Sequence, residues 1–139
     1  MKYSLDDEVE YDFKLIGISC HEKDYRLCWG INSVMEFTLE RTEKELQTFP
    51  SKKNPQVSTH TLFSAFDEDS ENEFHLIVNR TSMGYLIPEK PQADYLFLIK
   101  EDGGLDINDL LQRLRSISFV LTTFMIEVET LKSKDNLLF

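Results

Sequence analysis

The sequence predicts an α+β fold: a mostly antiparallel sheet with two main helices packed on one face, partly ferredoxin-like. Three observations lead there. Apolar residues recur at spacings of three and four in two places only, 27–35 and 107–114. The rest of the ordered-looking chain consists of short runs rich in β-branched and aromatic residues, set apart by turn residues. These strands follow one another between the two helical stretches instead of alternating with helices. That order segregates helices to one face of an antiparallel sheet.

Residues 1–8 are polar and expected to fray. From Val9 the chain alternates, as a strand with one wet face does, and then turns apolar on both faces at Leu15-Ile16-Gly17-Ile18. Residues 9–20 therefore read as a strand entering the covered centre of a sheet. Asp24 is placed to cap a helix that runs to about residue 34, with Leu27, Cys28, Ile31, Val34 and Met35 on its inner face. Gly30 weakens that helix by roughly 1 kcal/mol relative to Ala, and its small size suits close approach to the sheet.

Phe37-Thr38-Leu39-Glu40-Arg41 alternates again and reads as a strand. Residues 48–58, with Pro50 and Pro55, read as a loop. Strands are expected at 61–66 and 74–78, joined by the acidic turn 67–72. A short edge strand is expected at 83–87, stopped by Pro88. Residues 95–99 are almost wholly apolar and read as a central strand. After Gly103-Gly104, Asp106 caps a second helix carrying Ile107, Leu110, Leu111 and Leu114 inward. Residues 119–128 read as the last strand, with a continued helix as the competing assignment. Helix and strand together look like the second half of a ferredoxin-like unit, an analogy of pattern that carries no function. The tail 131–139 ends in Leu137-Leu138-Phe139, apolar residues that suit docking against the body.

The chain of 139 residues suits a single α+β domain over 1–139, long enough to bury a core without staples. Fifteen basic against 25 acidic residues leave a net charge of −10. That balance argues against non-specific nucleic-acid or anionic-membrane binding, and Lys52-Lys53 and the Arg113, Arg115 pair are too sparse to reverse it. No run of eighteen apolar residues is present, and Asp6-Asp7-Glu8 interrupt any early apolar stretch. A cytoplasmic location is expected, in which Cys20 and Cys28 are free, buried thiols. Asn79-Arg80-Thr81 matches a glycosylation sequon, which has no consequence in that compartment.

Chemistry-bearing constellations are weak. Cys20, His21, Cys28, His60 and His75 lack the short paired spacing of zinc ligands, and sequence adjacency does not make a nucleophile–base pair. Residues 67–71 lack the spaced ligands of a calcium loop. Glu101, Asp102 and Asp106 would repel an anion from the second helix's N-terminus. No metal, no cofactor and no catalytic residue is assigned. Glu89 and Asp94 have the residue types of an acid–base pair, but satisfying backbone N–H groups or pairing with Arg26 explains them better.

The segment Ile87-Pro88-Glu89-Lys90-Pro91-Gln92-Ala93-Asp94-Tyr95 stands out. Two prolines suggest a rigid, extended crossing into the strand at 95–99. Together with Asp24-Tyr25-Arg26-Leu27-Cys28-Trp29-Gly30-Ile31-Asn32 and the tail 131–139, it resembles the small bacterial family named for its motif, the IPExxxVDY family. Ala93 stands where the motif has Val. The resemblance implies a cytoplasmic bacterial protein and supplies no activity, ligand or catalytic residue.

The expected function is non-enzymatic, through contacts with another protein or by self-association, as in a homodimer. Arg26, Trp29, Asn32, Pro88, Glu89, Asp94 and Tyr95 are the candidates for a contact or structural cluster. Trp, Tyr and Arg are the side chains that anchor interfaces. The alternative is a small-ligand binder or enzyme with a pocket near Arg26, Glu89 and Asp94. No nucleic-acid and no membrane partner is expected.

Overall fold

The computed structural model describes residues 11–48, 52, 55–101 and 104–139. The stretch 1–8 expected to fray, residues 9 and 10 of the first predicted strand, and Pro50, Lys53, Asp102 and Gly103 lie outside the described residues. Eight strands and two α-helices follow one another: β1 (Lys14–Ser19), α1 (Asp24–Val34), β2 (Glu40–Gln47), β3 (Thr59–Asp67), β4 (Asn72–Val78), β5 (Arg80–Thr81), β6 (Gly84–Tyr85), β7 (Tyr95–Lys100), α2 (Ile107–Arg115) and β8 (Thr122–Ile126). Two single 3-10 turns, Val128–Thr130 and Lys134–Leu137, complete the tail.

Six strands form one antiparallel sheet in the order β2-β3-β4-β7-β1-β8. Its half β4-β7-β1-β8 has the last strand beside the first and the first beside the penultimate. That is the order of a ferredoxin-like unit, here widened by β2 and β3. The two strands predicted to be central are internal, β7 between β4 and β1, and β1 between β7 and β8.

The alternation of each strand sends its side chains into two separate cores. On one face Ile16, Ile18, Phe74, Leu76, Phe97 and Ile99 meet Leu27 and Ile31 of α1 and Leu110, Leu111 and Leu114 of α2. Phe37 stacks on Phe74 at 3.9 Å between ring centroids. On the other face Leu15, Leu62, Ile77, Leu96 and Leu98 are covered without a helix. Leu86, Ile87 and Ala93 of the motif segment and Val128, Leu131 and Leu137 of the tail cover them. Gly17 faces this side, where an added Cβ would lie 2.4 Å from the Phe124 ring; the glycine makes room for that ring.

Several local expectations are corrected. Asp24 is the first residue of α1 and not its cap: Lys23 takes that place, its carbonyl accepting from Leu27, while Asp24 Oδ1 accepts from the adjacent Tyr25 N–H. Gly30 approaches the Phe119 and Ile117 side chains, not the sheet. Phe37 and Leu39 precede β2 and fill the helix-side core. The predicted edge strand at 83–87 contributes only β6, which pairs with β5 in a ribbon of its own. Strand structure within 119–128 is confined to β8. Asp106 does cap α2, accepting from the Asp109 N–H.

Candidate functional site

The motif segment is turned, not extended. The Lys90 N–H donates to the Ile87 carbonyl and the Ala93 N–H to the Lys90 carbonyl, which makes two consecutive turns. Pro88 and Pro91 each take the second position of their turn, where the ring's fixed φ is an advantage. The correction has a simple cause. Proline presets one torsion and restricts its predecessor, and a turn satisfies both constraints as well as an extended crossing does.

Asn79 organises this segment from beneath. It is fully buried. Its Nδ2 donates to the Ala93 carbonyl at 2.8 Å and to the Lys90 carbonyl at 3.3 Å, and its Oδ1 accepts from the Ile87 N–H at 2.7 Å. Its backbone carbonyl accepts from the Leu86 N–H. Sequence reasoning met Asn79 only as a sequon. The missed signal was a lone Asn closing an apolar strand just ahead of a segment with turns to satisfy.

The candidate residues separate into distinct structural roles. Glu89 accepts from the Ser133 N–H and hydroxyl, both at 2.8 Å, and so ties the motif to the tail. Burial pushes its carboxyl up, but the bonds from Ser133 and neighbouring backbone prevail and hold it below its ordinary value. Asn136 adds a second tie, donating to the Leu86 carbonyl at 2.9 Å. Asp94 accepts from the Cys20 N–H at 2.9 Å and lies 3.5 Å from the Arg80 guanidinium. Tyr95 donates its hydroxyl to the Glu22 carbonyl at 2.5 Å, and burial, reinforced by nearby Cys20, Asp24, Asp94 and Glu22, pushes that hydroxyl well up. Asn32 exchanges two bonds with the Leu39 backbone and fixes the turn from α1 toward β2.

Arg26 joins neither carboxylate. It pairs with Glu22 at 2.9 Å and lies 4.9 Å above the Phe119 ring. The expected lock between Arg26 and Glu89 or Asp94 is absent. A surface depression contains Asp94, Tyr95, Cys20, His21, Glu22 and Arg80, while Arg26 and Glu89 are not among its lining residues. Burial pushes the Cys20 thiol up, which keeps it protonated and a poor nucleophile. Cys20 and Cys28 are unbridged. Among the described residues no three metal-ligating side chains converge, and no helix is long and apolar enough to cross a membrane.

Trp29 and Tyr25 remain. They stand one turn apart on the outer side of α1, 65% and 66% exposed. Arg26, between them in the sequence, lies over the Phe119 ring. No protein-family model matches the chain, and no curated protein matches it.

Proposed function

We propose that this is a non-enzymatic, cytoplasmic protein that works by contact with another protein chain, through the outer face of α1. One observation carries the reading: the single Trp of the chain and a Tyr one turn away are both about two-thirds exposed, beside an Arg stacked on a half-buried Phe. Large rigid aromatics left in water at this density are the composition of an interface centre. The polar residues of the motif point the same way, because Glu89, Asp94 and Tyr95 spend their polar atoms on backbone and tail groups. The unbridged thiols fit a reducing compartment. Membership of the IPExxxVDY family is part of this proposal and rests on the motif.

Trp29 is its own reporter. Its fluorescence is expected to show the red emission of a water-exposed indole in dilute protein and to shift blue when the contact forms. A shift on raising protein concentration identifies self-association; a shift only on adding another chain identifies a separate partner. Tyr25→Ser with Trp29 retained should weaken the contact at least tenfold without moving the melting temperature. An emission that stays red under every condition, with association unaffected by Tyr25→Ser and Trp29→Ser, rejects the surface. A second reading, ligand binding in the depression at Asp94 and Arg80, is favoured only by that depression's mixed polar lining.

A further inference from the structure

The Phe139 ring sits on a buried histidine. His75 of β4 is buried, and the Phe139 ring meets it edge-on at 5.1 Å between centroids. Ser64, opposite on β3, holds Nδ1 at 2.6 Å. Nε2 makes no hydrogen bond among the described residues, although Glu73 Oε1 lies within ion-pair distance at 3.4 Å. A buried polar atom without a partner is uncommon and needs a physical account.

The groups that face this pair come from every neighbouring element. Glu73 lies two residues away on β4, and Lys100 projects from β7 with its Nζ 5.0 Å from the Phe139 ring centroid. Lys44 of β2 approaches the same ring at 5.7 Å. Asp12, Glu71 and Glu101 line the groove beside Phe139, and Lys14 pairs with Glu101 at 2.5 Å. The ring is therefore bracketed by two ammonium groups and one imidazole.

We propose that His75 and Phe139 form an acid-released latch, in which protonation of His75 drives the Phe139 ring off the sheet. The physical reason is a balance of hydration. With the tail docked, a charged imidazole would be buried, and it would face the Lys100 cation. Glu73 opposes both effects, and the net result is a proton affinity below the ordinary value. Lifting Phe139 hydrates the imidazole and screens Lys100, so the free-tail state takes up the proton more readily. Linkage then requires docking to weaken as pH falls below the ordinary histidine value. Ser133 and Asn136 bond to Glu89 and Leu86, anchors that would hold the preceding part of the tail while Phe139 lifts.

The test uses the full chain with fluorophenylalanine at position 139 alone, followed by fluorine NMR from about pH 7.5 to about pH 5. Circular dichroism on the same samples verifies the fold. The docked-to-free ratio is expected to fall several-fold over this range in the parent and to stay constant in His75→Gln. His60→Asn, at the other buried imidazole, should keep the parent's fall. Two further variants separate charge from packing: Lys100→Gln should reduce the fall and Glu73→Gln should enlarge it. They carry the test should His75→Gln not fold. A constant ratio in folded parent, an undiminished fall in His75→Gln, or equal effects of the Lys100 and Glu73 variants would overturn the latch.

Discussion

The two faces of the sheet bury the same kind of residue by different means. The helix-side face is closed by α1 and α2, whose internal bonds satisfy their own backbones. The opposite face is closed by turns and 3-10 segments, whose backbones need outside partners. Asn79, Glu89, Ser133 and Asn136 supply these partners. An irregular cover can be as dry as a helix, but only when dedicated polar side chains satisfy it. The titratable groups divide in the same way. The helix side buries Cys20, Cys28 and Tyr95, and the strapped side buries His60 and His75.

The sharpest test of equal dryness uses neighbours on β7. Phe97 points to the helices and Leu98 to the strap, and both are fully buried. Phe97→Ala is expected to cost about 4 kcal/mol and Leu98→Ala about 3 kcal/mol in urea unfolding. A Leu98→Ala cost under about 1 kcal/mol would show that the strap yields to fill or flood the space.

Asn79→Ala should come next, at about 3 kcal/mol, because it orphans the Ile87 N–H and the Ala93 carbonyl at once. Hydrogen exchange should locate the damage on the strap, with 86–93 losing protection before α1 and α2. Uniform loss across both faces would break the contrast.

Asp94→Ala is expected to cost about 1–2 kcal/mol, through the lost bond to the Cys20 N–H. Arg26→Ala should cost less than about 0.5 kcal/mol, its partner Glu22 being exposed as well. A double-mutant cycle between them should show no coupling, since the two residues have different partners.

The smallest effects depend on pH. Burial lowers the proton affinity of His60, despite its bond to the Val78 carbonyl, and that of His75 from the ordinary 6.5. The folded chain then binds fewer protons than the unfolded one. The stability these histidines contribute is complete above pH 6.5 and declines as pH falls toward their lowered values. Burial raises Cys20 and Cys28 from 9.0 and Tyr95 from 10.0, so their contribution is complete below those values and declines as pH rises past them. Thermal melts should therefore show acid loss that is reduced in His60→Asn and alkaline loss that is reduced in Tyr95→Phe. Exchange of these assignments would contradict the division.

The elements most legible in the sequence were those with a strict period. Leu27 and Ile31, or Leu110, Leu111 and Leu114, declare a helix face by spacing alone, and Tyr95 to Ile99 declares a strand covered on both sides. Boundaries were less legible. Phe37 and Leu39 alternate like strand residues, yet they are buried ahead of β2 because the helix-side core needed them there. The motif's proline constraint was legible, and the turns it adopts were not. Its charged residues were legible as important to structure, whereas their partners were not. Arg26 was the obvious cation for Asp94, and the fold brought Arg80 and the Cys20 N–H instead.

By itself the sequence determined the α+β class, the two helices, the internal strands β1 and β7 and the acidic character of the chain. Each of these follows from local periodicity or composition, which a linear chain carries in full. Only the tertiary structure decided what covers the second face, which groups answer Glu89, Asp94 and Asn79, and that Trp29 and Tyr25 face water. Those outcomes join residues as far apart as Glu89 and Ser133 or Cys20 and Asp94. Pairings at such separation are selected by the packing of the whole sheet, not by the spacing of any one segment.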